Sequence, residues 1–440
     1  MKGAMKAKSI LKTLAGLVLA LTPALTHAQA DGTDAVDSGD TAFVLGTGLL
    51  ALAMILPGIV LHHGGQLRAR AFAALATETG AIAAVVSLLW IVVGYTLAFG
   101  TVTNGWLGSG NAWMLIDLAN VRGDSAVPEV VFVLLQLGFA VLAATLLTGA
   151  WAERGNIAWI VPFAGLWSVL VYAPQAHWIW GGGWLASRLG TVDFGGALVV
   201  HASVGISALV ITLLMGRRAR MSGSEVAQGH APALALAGTG MVWVALLALE
   251  GGATLAASDD AGTTLVNLQA AAASGALAWL LIEAVTRGKA HPLALARGAL
   301  AGLIAASAAA GSCAPGTAMV AGLAGALVAW IGTRLLRAAA IDDGVDLVAV
   351  HGFAGLAGAM LAAPLIAGTL GGGGYAPGMG PVRQVIAQAV GAGVVVAWSA
   401  IGTAIAALMV AMVVPMRVSE AEETHGLDEA SHGIQSRDFD

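Results

Sequence analysis

Charged residues are scarce in this chain. Asp, Glu, Lys and Arg make up only 10% of its 440 residues, against roughly 25% in a soluble domain. No basic face is available for a polyanion, so a nucleic-acid role has no support. Cysteine is nearly absent: Cys313 alone excludes an intramolecular disulfide framework and a thiolate metal site. Aromatic residues are also few, at 6%. Ser/His/Asp sets, Gly-rich phosphate loops and HxxxH spacings are missing too, so enzyme chemistry has no carrier and no cofactor or metal is called for. What fills the chain instead is 58% apolar residues and 60 glycines. That mixture suits membrane helices, where small residues let backbones approach closely.

The first thirty residues read as a cleavable signal peptide. Lys2, Lys6, Lys8 and Lys12 form a basic start, Leu14 to Leu21 an apolar stretch, and Ala28-Gln29-Ala30 a cleavage pattern. A short uncleaved first helix is the other reading. Cleavage places Asp31 outside the cytoplasm.

Beyond Asp40, apolar runs alternate with short polar gaps, and each crossing needs about 20 residues. Eleven spans are expected, near 41–62, 72–99, 129–151, 157–175, 194–215, 232–254, 263–286, 295–312, 317–334, 346–368 and 384–414. The last apolar run, Val385 to Met416, is uncharged throughout. With the N-terminus outside, the inner gaps collect most of the basic residues, among them Arg68, Arg154, Arg218, Arg220, Arg417 and Arg437. The outer gaps hold only Arg122, Arg188 and Arg383. This bias orients the chain with its C-terminus in the cytoplasm. The fold class expected is therefore an all-α polytopic inner-membrane protein: residues 31–414 form the helical domain and residues 415–440 a cytoplasmic tail.

An echo links two of these spans. Val200-His201-Ala-Ser-Val-Gly205 and Val350-His351-Gly-Phe-Ala-Gly355 share the pattern V-H-x-x-x-G, each after an aspartate, Asp193 and Asp346. The fifth and tenth spans run in opposite directions, which points to an inverted five-helix repeat with a site near the midplane. Chance likeness between Gly/Val-rich helices is the competing explanation. A histidine deep in a span is costly unless it is paired or lines a cavity. One alone suggests a bond to a helix carbonyl. Two at matching positions suggest a pore, since imidazole both accepts and donates hydrogen bonds and titrates near neutrality.

The ordered motifs resemble the ammonium transporter (Amt/Mep/Rh) family. They run from Leu56-Pro-Gly-Ile-Val-Leu-His-His63-Gly-Gly65, Trp90 and Gly94-Tyr-Thr-Leu-Ala-Phe-Gly100 through Gly149-Ala-Trp-Ala-Glu153-Arg154. Ala176-His-Trp-Ile-Trp180-Gly-Gly-Gly183, Asp193-Phe-Gly-Gly-Ala-Leu-Val-Val-His201 and Asp342-Asp343-Gly-Val-Asp346 follow. Val350-His351-Gly352, Gly426-Leu-Asp428 and Ser431-His-Gly433 close the series. The resemblance spans essentially all of 40–433 and implies a homotrimer with one pore per subunit. By it, His201 and His351 match the twin pore histidines, Trp180 the tryptophan that recruits the cation, and Asp193 a buried aspartate with a structural and electrostatic role. The tail motif implies a PII-type regulator as a cytoplasmic partner.

Several positions depart from the family pattern. Phe139 fits the inner of two stacked phenylalanine gates, but the outer one falls on Leu135 and its partner from the sixth span on Leu249. The neighbouring asparagine becomes Glu250, and the recruitment serine becomes Ala253. His63 replaces the usual aromatic before the paired glycines, Glu78 stands where a neutral residue is common, and Asp193-Phe-Gly-Gly is a loose form of D-F-A-G-G. Leucine closes a gate without offering a cation an aromatic face. Three functions follow as alternatives: ammonium or ammonia transport, an ammonium sensor that has lost conduction, and a channel of the same fold for another small molecule such as methylammonium or carbon dioxide.

Overall fold

In lipid every backbone polar group must be satisfied within the protein, and helices do this segment by segment. The structure, a computed structural model, describes residues 36–110, 113–219 and 229–435. The expected signal peptide, Arg220 and Arg437 lie outside those residues. Apolar helices follow one another in chain order: α1 (Ser38–Gly64), α2 (Ala69–Phe99), α3 (Glu129–Trp151), α4 (Ile157–Ser187), α5 (Ala197–Met215), α6 (Pro232–Gly252), α7 (Asp259–Arg287), α8 (Pro292–Ser307), α9 (Pro315–Ala338), α10 (Val348–Leu365) and α11 (Pro381–Ala411). Proline at the start of α6, α8, α9 and α11 gives up an amide that has no helical partner there. Two short helices, α12 (Glu420–His425) and α13 (Leu427–His432), end the chain.

Ten of these helices are long and apolar enough to cross a membrane. The eighth of the eleven expected spans is the exception. With 16 residues, α8 reaches only about 24 Å, short of the roughly 30 Å core. It ends where the loop before α5 takes over its carbonyls: the Gly195 amide donates to Ser307 O at 2.8 Å and the Phe194 amide to Ala308 O at 3.1 Å. The last carbonyls of a helix need such donors. At the other extreme, α11 has 31 residues, about 46 Å.

Glycine lets the helices touch backbone to backbone. A Cβ on Gly238 of α6 would stand 2.2 Å from His62 N of α1, and one on Gly275 of α7 would stand 2.4 Å from Gly298 O of α8. Polar side chains add cross-links that lipid does not weaken. Ser399 and Thr403 of α11 donate to Ser203 and Ser207 of α5 at 3.2 and 2.8 Å, and Gln175 of α4 donates to Ser399 at 2.8 Å.

Many of the basic residues expected in the cytoplasm gather at one end. Arg218 bonds Glu153 at 2.6 Å and Asp342 at 2.8 Å, Arg154 bonds Asp342 at 3.1 Å, and Arg68 bonds Glu153 at 2.8 Å. The tail joins them. Arg417 bonds Glu423 at 2.6 Å, Arg68 donates to Glu423 O at 3.0 Å, and Asp428 accepts from the Ala74 amide at 2.8 Å.

Candidate functional site

The two histidine helices open alike. Each begins with a π-helical turn, Ala197–Ala202 in α5 and Val348–Phe353 in α10, and each turn contains its histidine. Wider turns of this kind commonly mark functional positions. A carboxylate caps both. Asp193 accepts from the Leu198 and Val199 amides, each at 2.9 Å, and Asp343 accepts from the Val348 and Ala349 amides, each at 3.1 Å. The echo of Asp193 is therefore Asp343, which precedes its histidine by the same interval. The sequence reading paired Asp193 with Asp346, and that pairing is corrected here: Asp346 lies nearer to His351 in sequence but bonds Arg297 and Arg337 instead.

The glycines of V-H-x-x-x-G seat each helix on the other. A Cβ on Gly205 would stand 2.2 Å from Gly352 Cα, and one on Gly355 would stand 2.8 Å from Ala202 N and 3.2 Å from His201 Cβ. This reciprocal contact brings the imidazoles together, tilted by 45° and meeting through Nδ1. His201 Nδ1 and His351 Nδ1 are 3.0 Å apart, their ring centroids 5.1 Å apart, and both side chains are buried. Two nitrogens at that distance need one proton between them, so one ring donates and the other accepts. In a neutral pair the two Nε2 atoms then differ as well: one is an acceptor and the other a donor. Among the described residues, His201 Nε2 has no hydrogen-bond partner.

At the far end of α4, Trp180 lies against Phe139, ring centroids 5.3 Å apart, and its Nε1 donates to Asp193 O at 2.6 Å. Gly196, at φ +94°, closes on the same ring: a Cβ there would stand 3.2 Å from Trp180 Cη2. The Asp193 carboxyl, in the loop between α4 and α5, is pushed up to about 6 by burial, and the backbone amides that bond it oppose the rise. Leu135 and Leu249 are fully buried. Leu249 fills the space beside Gly138, next to Phe139, while Leu135 lies against Gly252 and Gly48. Trp180 thus meets both Phe139 and the Asp193 carbonyl, and Leu249 packs beside Gly138, one residue from Phe139. Ala253 ends α6, its amide bonded to Leu249 O at 2.9 Å, and offers only a methyl group.

Glu250 is wholly buried beside this loop. Its Oε1 accepts from the Ser307 hydroxyl at 2.6 Å, and its Oε2 occupies the space a side chain on Gly195 would need. Glu78 sits elsewhere, accepting from the Trp151 indole at 3.3 Å, which is a packing role.

Two histidines carry more than sequence reasoning drew from them. His62 Nδ1 meets Thr239 Oγ1 and His63 Nδ1 meets Thr148 Oγ1, both at 2.9 Å. Each threonine hydroxyl already donates to its own helix, to Ala235 O and Thr145 O. Both imidazoles therefore donate through Nδ1 and leave Nε2 as the acceptor. The space over Gly149 is bordered by His63 and by Val345 and Leu347, the residues leading into the His351 turn. The signal in the sequence was the doublet itself, His62-His63 before two glycines.

Residues 42–436 match the model of the Ammonium Transporter Family. An ammonium transporter of Aquifex aeolicus is 33% identical over 95% of this chain and 97% of its own. One from Bacillus subtilis is 33% identical over 90% and 97%. Among solved structures, a protein titled Sensor Amt Protein superposes with a TM-score of 0.84 at 27% identity, covering 90% of this chain and 98% of that one. Mep2 of Candida albicans superposes with a TM-score of 0.79 at 29% identity, covering 90% and 89%. With the paired histidines, the aromatic mouth and this likeness along almost the whole length, the chain belongs to the ammonium transporter family.

Proposed function

We propose that the protein carries ammonium nitrogen across the cytoplasmic membrane, recruiting the cation outside and passing it inward as ammonia. The observation that carries this reading is the 3.0 Å contact between His201 and His351 on two helices that open alike. An ion entering an apolar passage loses its hydration at a cost of many kcal/mol. Ammonia needs only hydrogen-bond partners, and the ring pair supplies a donor and an acceptor. Outside, the faces of Trp180 and Phe139 attract the cation by about 0.5–2 kcal/mol, and Asp193 and Glu250 add negative charge behind them. Leu135 and Leu249 close the mouth as greasy gates, and Ala253 replaces the hydroxyl that would have accepted a bond from the ion.

The same reading gives residues 1–30 the role of a signal peptide and puts the Asp193 end outside and the Arg218 end, with the tail, inside. It assembles three chains, each with its own pore, and makes the tail the docking place for a PII-type regulator. The test is reconstitution in liposomes. Ammonium should drive a current or an internal pH change that His201→Ala and His351→Ala each alter, and a parent protein impermeable to both species would end the proposal.

A second reading has support from the same mouth. With leucine at 135 and 249 and alanine at 253, the gate has lost aromatic and hydroxyl contacts, which suits a protein that binds ammonium and signals without conducting. Saturable ammonium binding with no flux in the same liposomes would favour it.

A further inference from the structure

We propose that Glu250 and Asp193 act as one carboxyl pair that takes the proton from an incoming ammonium ion. The pair deepens the transport reading and rests on it for its place in the cycle. Its basis is an accounting of donors. Of the four carboxyl oxygens, Asp193 Oδ2 accepts from two amides and Glu250 Oε1 accepts from the Ser307 hydroxyl. Among the described residues, Asp193 Oδ1 and Glu250 Oε2 have no donor within hydrogen-bond distance, although both are buried. A buried acceptor left without a donor costs on the order of 1–3 kcal/mol, more when charged. Glu250 Oε2 fills the space over Gly195, two residues beyond Asp193, and two buried carboxylates gathered at one loop disfavour each other's ionisation. One proton held by the pair leaves a single negative charge at the loop.

The surroundings fix the pair at the mouth. The Asp193 loop is pinned to the end of α8 through Phe194 and Gly195, and Glu250 reaches the same place through Ser307. Trp180 donates to the carbonyl of Asp193, so the ring facing the cation is bonded to half of the pair. From other elements, Ser307 of α8 bonds Glu250, and Thr47 of α1 lies over Gly252, two residues further along α6. Consecutive glycines make the junction, with Gly195 against Glu250 and Gly196 against Trp180.

In the step itself, one N–H bond of ammonium breaks, both of its electrons stay on nitrogen, and an O–H bond forms on the ionised carboxylate. The pair goes from one proton and one negative charge to two protons and none, and neutral ammonia is released towards His201. Loss of the second proton to water resets it.

The experiment uses the full chain in proteoliposomes. Infrared difference spectra are recorded on adding ammonium chloride against sodium chloride, alongside ammonium-driven currents. The parent should show a growing carbonyl band of protonated carboxyl that Glu250→Gln removes. The same variant should lose current by about a hundredfold, the scale of a lost proton acceptor, and Glu250→Asp should restore part of it. Because Glu250→Gln can disturb packing, the double variant Gly195→Ala, Glu250→Asn serves as a second probe and should also lack the band. Current without the band, or Glu250→Gln current within about twofold of the parent, overturns the pair and leaves transport standing. The band with neither a current nor an ammonium-driven internal pH change sinks transport and leaves the pair.

Discussion

A Cβ on Gly195 would stand 2.0 Å from Oε2 of Glu250, so these two residues occupy one volume. The family pattern has alanine at the first position and asparagine at the second. The longer acidic side chain and the missing methyl group are therefore one change rather than two. Gly195→Ala alone should force the carboxylate off Ser307 and destabilise the protein by about 1–3 kcal/mol, the usual cost of overpacking. Adding Glu250→Asn should recover most of that loss. Thermal unfolding of the purified protein in detergent, arranged as a double-mutant cycle, measures the coupling. Strictly additive effects would mean the two positions do not share the space.

The histidine pair makes a different prediction, about charge rather than stability. With one proton between His201 and His351 at 3.0 Å, removing either ring leaves the other without its partner. Each alanine variant should fold, because the glycine contacts between the helices involve backbone. Each should change the number of charges moved per ammonia, with rates shifting about 10- to 100-fold. Solid-supported membrane currents recorded beside an internal pH dye give both quantities. An unchanged ratio in both variants would remove the rings from the path.

On the transport reading, Asp193 should set the pH dependence of recruitment. Burial pushes its carboxyl up to about 6. Below that pH the group is protonated and neutral, so the mouth loses negative charge and ammonium affinity should fall as pH drops through about 6. Above it the affinity should level off, since no more charge is gained there. Asp193→Asn should flatten this curve at the low-affinity end. Ammonium titrations of the reconstituted protein between about pH 5 and 8 decide the matter, and an affinity that rises on acidification would contradict it.

Much of this architecture is legible in the sequence because lipid leaves the backbone so few choices. Apolar runs of sufficient length gave ten of the helices, and the run near 295–312 gave the eleventh position. What periodicity could not show is that α8 would stop at Ser307, because the reason is a loop more than a hundred residues earlier. The histidine echo was visible for the same reason that it matters: V-H-x-x-x-G encodes both the ring and the glycine on which the other helix rests. Its aspartate was misassigned to Asp346 because proximity in sequence stood in for capping geometry, which selects Asp343. The anchoring of His62 and His63 was out of reach, since Thr239 and Thr148 lie on other helices. Glu250 was noticed as an oddity, but only the space over Gly195 shows why it fits.

The inner face offers a test of how the tail is held. Asp342 is buried between Arg154 and Arg218, and Arg218 also bonds Glu153. Burial alone would raise the Asp342 carboxyl, but hydrogen bonds and charge from Arg218, together with the Arg154 charge, hold it below the ordinary carboxylate range. Asp342→Asn takes from two buried guanidinium groups a carboxylate that both bond, and breaking a buried pair in this way costs about 3–5 kcal/mol. The effect should spread, because the Ala219 amide beside Arg218 donates to Glu423 at 2.6 Å and Arg417 holds the same glutamate. The variant should melt at a lower temperature and lose residues 415–435 to protease sooner than the parent, while ammonium binding at the Trp180 end stays the same. Equal cleavage rates in parent and variant would show that the tail is anchored by its own contacts, chiefly Asp428 on Ala74, and not through the arginine cluster.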